Sequence, residues 1–251
     1  MTTFRVVVPA RLGSSRLPNK PLLDLCGKPM IARVAERALA SGADEVVVAA
    51  ASESILNAVA HLPVRTFLSR RVHATGSDRV LEAAQILDWS DHTIVVNLQG
   101  DEPLIPPAAI DQVAELVRES GLRSVGTLAE RMSSREDILD PHVVKVVTAR
   151  DATALYFSRA PIPWDTNRFP DDAPRSWTPG FRRHIGLYAY SVHLLRTFVE
   201  LSRGTLEQME SLEQLRLLEN GIPVIVADAC EPVPPGVDTE KGAELVRRAL
   251  A

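Results

Sequence analysis

Over its first half the chain switches back and forth between two apolar periods, and that alternation restricts the fold more than any single motif. Phe4 to Val8, Glu45 to Ala50, Val64 to Leu68 and Thr93 to Leu98 are short strand-forming runs, most of them rich in valine. Helical patterns lie between them. Met30, Ile31, Val34, Ala35, Ala38 and Leu39 recur at steps of three and four before Gly42. Ser52 precedes Ile55, Leu56 and Val59, and the polar turn from His73 to Arg79 precedes Val80, Leu81, Ala84 and Leu87. Strands joined through helices pair in parallel, by right-handed crossovers. The expected architecture is α/β: a three-layer, doubly wound, mostly parallel sheet.

A helix is expected from Pro107 to Glu119, and beyond it the pattern loosens. Ser124 to Ala129, Val143 to Thr148, Ala154 to Phe157, Ile185 to Tyr190 and Ile222 to Ala227 read as further strands. Ser133 with Glu136, and Thr205 with Gln208, read as capping boxes. The second opens a helix through Leu212, Leu215, Leu217 and Leu218 that stops at Asn220-Gly221. Asp238-Thr239 is placed to cap the last helix. Ser158 to Arg183 shows no clear period, and such a long irregular segment is usually a functional loop or an oligomer contact.

The 251 residues fit one domain spanning 1–251, with strands and a loop over about 143–191 read as inserted. A net charge of -4 without a basic tract argues against a nucleic-acid partner. Cys26 and Cys230 are too few for a disulfide scaffold or a zinc site, which points to a reducing cytoplasm. The sequence has no signal-peptide pattern and no apolar run long enough to enter a membrane.

Chemistry concentrates where strands end. The first strand empties into Pro9-Ala10-Arg11-Leu12-Gly13-Ser14-Ser15-Arg16-Leu17-Pro18-Asn19-Lys20-Pro21-Leu22. Small residues let backbone N–H groups approach an anion, and Arg11, Arg16 and Lys20 can neutralise it, so a phosphate chain is the natural guest. The loop is neither a Walker A motif nor a Gly-x-Gly-x-x-Gly fingerprint, and a solvated turn with three surface cations is the plain alternative. The fourth strand ends in Gln99-Gly100-Asp101-Glu102-Pro103. Asp101 offers the hard oxygen that Mg²⁺ prefers, or it hydrogen-bonds its own turn. Asp238 is a second carboxylate held on a stiff Pro234-Pro235-Gly236 approach, or a plain helix cap. His61, His92, His142 and His193 show no metal-ligand spacing. Alternation puts His184, Gly186 and Tyr188 on one strand face. Glu213 and Gln214, set among leucines, need polar partners, either a substrate hydroxyl or a neighbouring helix.

Taken together, these segments resemble the 3-deoxy-manno-octulosonate cytidylyltransferase (CMP-Kdo synthetase) family over nearly the whole chain. The residues that carry the resemblance are Pro9 to Leu22, Gly27-Lys28-Pro29-Met30, Val96 to Pro103, Ala154 to Trp164, Arg183 to Tyr188, Glu213-Gln214-Leu215-Arg216 and Gly236-Val237-Asp238-Thr239. The resemblance implies a nucleotide-diphospho-sugar-transferase-like fold with an inserted region for dimerisation and sugar binding. It implies transfer of CMP from CTP to the anomeric hydroxyl of Kdo, for lipopolysaccharide synthesis, by a Mg²⁺-dependent cytoplasmic homodimer. By matched motif, Arg11 and Lys20 hold the triphosphate and, with Asp101, carry catalysis. Asp101 and Asp238 bind the metal. Pro9, Ala10, Arg11, Arg16, Lys20, Gly76, Ser77 and Asp78 bind the nucleotide. Arg16, Arg79, Gln99, His184, Tyr188, Glu213 and Gln214 address the sugar acid. Ala154 to Trp164 lies in or near the dimer contact.

The chain departs from the family pattern at Ala50-Ala51, where Thr/Ser-Asp is usual, at Arg71-Val72, and at Glu240-Lys241-Gly242. A cytidylyltransferase for 8-amino-Kdo or a sialic acid is the nearest alternative. A divergent nucleotide-binding protein of glycosyltransferase type is the next, although Gln-Gly-Asp-Glu-Pro stands where such enzymes carry Asp-x-Asp.

Overall fold

The computed structural model describes residues 3–13, 17–69, 71–73, 75–166 and 180–250. Its strands are β1 (Phe4–Ala10), β2 (Glu45–Ala50), β3 (Arg65–Leu68), β4 (Ile94–Asn97), β5 (Val125–Arg131), β6 (Lys145–Thr148), β7 (Ala154–Ser158), β8 (Arg182–Ser191) and β9 (Val224–Asp228). The α-helices are α1 (Met30–Leu39), α2 (Glu53–Val59), α3 (Gly76–Ile86), α4 (Pro107–Glu119), α5 (Arg135–Leu139), α6 (Val192–Glu200), α7 (Thr205–Glu210), α8 (Leu215–Glu219) and α9 (Glu240–Leu250). All nine expected strands form, each within a few residues of its expected ends.

The strands make one sheet in the order β3-β2-β1-β4-β8-β5-β9. β1, β2, β3 and β4 pair in parallel, as do β5 and β9, whereas β8 runs antiparallel between β4 and β5. Alternate residues of the central strands enter two different cores. Val6, Val8, Val46 and Val48 meet α1, α2 and α4, while Val7, Val47 and Val95 meet α3 and α6. Both faces of the sheet are therefore covered, which is why these strands read as continuous apolar runs. The expected doubly wound α/β layering is present.

β6 and β7 form an antiparallel pair off this path and touch the sheet through Lys145 opposite Arg183. β8, expected as part of the inserted region, belongs instead to the main sheet. Ile185, Leu187 and Ala189 face one core, and His184, Gly186, Tyr188 and Tyr190 face the other way.

Three local expectations are corrected, the second and third of them by bonds from residues distant along the chain. The cap of α5 is Ser134, which accepts from Asp137 N at 3.3 Å, rather than Ser133. α7 is not capped by Thr205. The Glu219 carboxylate accepts from the Leu206 N–H at 3.0 Å and faces Glu207 N, and it fills the space that a side chain at Gly204 would need. The single helix expected through Leu212 is broken at Ser211, which adopts φ 52°. There the Glu210 carbonyl accepts from Arg159 Nε at 2.7 Å instead of continuing a helix.

Candidate active site

The carboxyl ends of β1 and β4 open side by side, because these strands pair in register from Phe4 opposite Ile94 to Val7 opposite Asn97. The backbone approach there is close: a Cβ on Gly100 would lie 3.1 Å from the Pro9 carbonyl oxygen. A side chain at 100 would push the two strand ends apart. The β1 loop returns through Asn19, in the left-handed region at φ 55°, which asparagine tolerates better than most residues. Asn19 starts a single 3₁₀ turn, Lys20–Leu22, and so aims the Lys20 side chain back at the strand ends.

Lys20 joins two distant carboxylates. Its Nζ donates to Asp101 Oδ2 at 2.6 Å and to Asp238 Oδ1 at 2.8 Å. Burial alone lowers the Lys20 pKa, but the two carboxylates outweigh it and hold the ammonium above its usual value. Asp238 is delivered by the segment before α9, whose Val237 N–H donates to the Asp101 carbonyl at 2.8 Å. Thr239 takes the capping role, with its Oγ1 accepting from Gly242 N at 3.2 Å. The plain helix-cap reading of Asp238 therefore does not hold, and its carboxylate meets Lys20 instead.

Above this floor lies a cavity of about 350 Å³. It is lined by Pro9, Ala10, Arg11, Lys20, Gly76, Arg79, Gln99, Asp101 and Asp238, all singled out in the sequence, together with Gly13, Pro21, Thr75 and Gly100. Arg79 is 4% exposed. Burial first, and the nearby Arg11 charge second, lower its pKa. Two guanidiniums facing one cavity call for an anion. Ser77 and Asp78 do not line it. Asp78 closes a capping box with Thr75, accepting from Thr75 N at 2.8 Å, and Ser77 is buried beside Asn97. Arg16 lies outside the described residues.

A second cavity of about 550 Å³ shares Asp101 and Asp238 with the first. Glu102, Glu130, Arg183, His184 and Gly186 line it. Glu102, inside the Gln99–Pro103 motif, adds an acid for which the sequence offers no role. Burial, then repulsion from Asp101, push its carboxyl up to about 8. His184 is pushed down to about 3 by burial and by the Arg183 charge, so its ring is neutral near pH 7. Thr127 Oγ1 lies 3.0 Å from His184 Nε2, and 3.1 and 2.9 Å from the carbonyl oxygens of Ile185 and Leu187. Those carbonyls can only accept and the hydroxyl can donate once. Thr127 thus holds the ring through Nε2 and ties it to the backbone of β8.

Tyr188, Glu213 and Gln214 line neither cavity. Among the described residues, Tyr188 Oη and Glu213 Oε1, and Arg79 Nε in the first cavity, are buried without a hydrogen-bond partner. Burial pushes the Glu213 carboxyl up, against a hydrogen bond from Ser77. Thr75 was missed in the sequence, although its place one residue before a glycine that opens a helix was a usable signal.

Among the described residues no group of three or more His, Cys, Asp or Glu is placed to hold a metal ion. The Asp101–Asp238 pair nevertheless suits a metal that draws its other ligands from phosphate and water. Both are hard oxygen donors converging on one cation, here the Lys20 ammonium.

Cations facing paired carboxylates at the carboxyl edge of a parallel sheet suit a nucleotidyltransferase, and the proteins this chain resembles are of that class. A family model described as cytidylyltransferase matches residues 5–226. The 3-deoxy-manno-octulosonate cytidylyltransferase of Methylococcus capsulatus is 49% identical over 250 residues, covering 99% of this chain and 97% of that protein. The solved structure of CMP:2-keto-3-deoxy-manno-octonic acid synthetase complexed with CTP is 39% identical, with a TM-score of 0.88 and coverage of 99% and 98%. A nucleotidyl transferase from Methanothermobacter thermautotroptrophicus shares the fold, at 19% identity, a TM-score of 0.63 and coverage of 99% and 98%. The chain belongs to the 3-deoxy-manno-octulosonate cytidylyltransferase family.

Proposed function

We propose that the chain transfers CMP from CTP to the anomeric C2 hydroxyl of Kdo and releases pyrophosphate. The observation that carries this reading is the Lys20 bridge between Asp101 and Asp238 on the floor of a cavity flanked by Arg11 and Arg79. The new bond joins the sugar oxygen to the α-phosphorus, the hydroxyl proton passes to solvent, and the bond from the α-phosphorus to the bridging oxygen breaks, with that oxygen leaving on pyrophosphate. Such a transfer needs positioning and charge stabilisation more than a strong base.

Pro9, Ala10 and Gly76 frame the nucleoside, with Ser77 and Asp78 supporting that turn from behind. Arg11, Lys20 and Arg16 bring positive charge to the triphosphate. Asp101 and Asp238 hold Mg²⁺, which when bound neutralises phosphate charge and stabilises the leaving pyrophosphate. Arg79, Gln99, His184, Tyr188, Glu213 and Gln214, with Arg16, receive the sugar acid. The buried unpaired atoms of Arg79, Tyr188 and Glu213 support this, since a polyhydroxylated acid supplies the missing partners. His184 serves there as a neutral ring and not as an imidazolium acid, given its depressed pKa.

The product serves lipopolysaccharide synthesis, in the cytoplasm. No helix among the described residues is long and apolar enough to cross a membrane. Leu155 and Trp164, each 62% exposed, support the segment from Ala154 to Trp164 as a homodimer contact. The test is a panel of Kdo, 8-amino-Kdo and a sialic acid, each incubated with CTP and Mg²⁺, with products identified by mass. CMP-Kdo as the main product supports the reading, and a CMP conjugate of another sugar alone overturns the acceptor.

A further inference from the structure

Glu82 sits in α3, one turn beyond Arg79, and is 7% exposed. Its Oε2 accepts from Ser69 Oγ at 2.5 Å and lies 2.6 Å from His73 Nε2. Its Oε1 faces Arg71 Nε at 3.9 Å. Three residues of the connection from β3 to α3 thus converge on one carboxylate that belongs to the helix. Burial pushes Glu82 up, but the bonds from Ser69 and His73 outweigh it and hold the group below its ordinary value. Glu82 is therefore an anion at neutral pH, and its bonds are charge-assisted.

The helix itself does not need this carboxylate. Neighbouring inward positions of α3 are Val80, Leu81, Ala83 and Ala84, and a buried charge among them is a cost unless it is partnered. The connection has little apolar support of its own, since Val72 at its middle is fully exposed. Its far end, however, is part of the first cavity. Thr75 and Gly76 line that cavity, and Gly76 packs so near Pro9 that a Cβ there would meet the ring at 3.4 Å. A shift in the connection therefore moves a cavity wall. His73 and Glu82 do not line the cavity.

We propose that His73 and Glu82 form a latch that positions the Thr75–Gly76 wall for the nucleotide, and so set the affinity for CTP without touching it. The inference rests on the assignment of this cavity to CTP. Both residues are positioning residues. Losing the latch acts on nucleotide affinity and leaves the sugar side and the chemical step alone.

The test compares wild type with His73→Ala and His73→Gln, by calorimetric CTP binding, by KM for CTP and for Kdo, by kcat and by thermal melting. His73→Ala is expected to weaken CTP binding and raise its KM about tenfold, the effect of losing one charge-assisted hydrogen bond. Its kcat and KM for Kdo stay within about twofold of wild type. His73→Gln, whose amide N–H reaches the same carboxylate, recovers most of the affinity. Unchanged CTP affinity in His73→Ala overturns the latch. So does a loss spread equally over all the kinetic constants with a lowered melting temperature, which marks a merely structural contact. Wild type that binds no CTP overturns the nucleotide assignment itself, and the latch with it.

Discussion

Lys20→Ala separates the structural role of the central lysine from the catalytic role proposed for it. In the fold, its ammonium neutralises Asp101 and Asp238, whose side chains are 34% and 55% exposed while that of Lys20 is 12% exposed. Ion pairs with such wet carboxylates are worth less than about 1 kcal/mol each. In a chain of this length 1 kcal/mol moves the melting temperature by roughly 2–4 °C, so the variant melts only a few degrees below wild type. In the proposed reaction, the same charge meets a triphosphate whose negative charge shifts as pyrophosphate leaves. Removing one such transition-state contact costs on the order of a hundredfold in turnover, about 2.7 kcal/mol. The assay is continuous pyrophosphate release at saturating CTP and Kdo, beside a thermal melt of the same preparation. A hundredfold or greater loss with a small melting shift is the expected pair. Turnover within threefold of wild type would refute the reasoning, and so would a melting collapse large enough to explain the loss by unfolding.

Asp101→Asn is expected to lower turnover by a hundredfold or more and to weaken Mn²⁺ binding in the presence of CTP, read by electron paramagnetic resonance. Full activity in that variant would remove the metal assignment. The His184 pKa is depressed from 6.5 to about 3, so below pH 6.5 the unfolded chain takes up a proton that the folded chain refuses. Wild-type stability therefore falls as pH drops through that window, by up to about 1.4 kcal/mol per unit from this group. His184→Gln should flatten the slope in urea titrations at pH 7 and pH 5, and equal slopes would count against a buried neutral ring. Gly126→Ala would set a Cβ 2.9 Å from the Val113 carbonyl oxygen, where β5 packs on α4. It should destabilise the fold by about 1–3 kcal/mol in the same titration, whereas an unchanged midpoint would mean that α4 yields freely.

The layered sheet was legible because both faces of its parallel strands are buried. Val6-Val7-Val8 and Val46-Val47-Val48 announce themselves as strands with no polar alternation to confuse them. The floor of the site was legible in part for a related reason, since ligand loops of open sheets lie at strand ends. What the sequence left undecided depended on contacts distant along the chain. Asp238 reads equally as a cap or a ligand, and neither its contact with Lys20, 218 residues away, nor the capping of α9 by Thr239 can be read locally. The helix through Leu212 has the right apolar spacing, yet Arg159 takes the Glu210 carbonyl and Glu219 takes the N–H groups of α7. No local rule contains those partners. In the sequence His73 only opens a polar turn and Glu82 falls within the helix that follows, and their approach to 2.6 Å makes them a unit.

The most direct measurement of the central claim is pyrophosphate release from CTP, with and without Kdo and with and without Mg²⁺. The account predicts release only when sugar and metal are both present. Release that ignores Kdo would contradict transfer to the sugar. No release from folded protein with both present would contradict the assignment of this site.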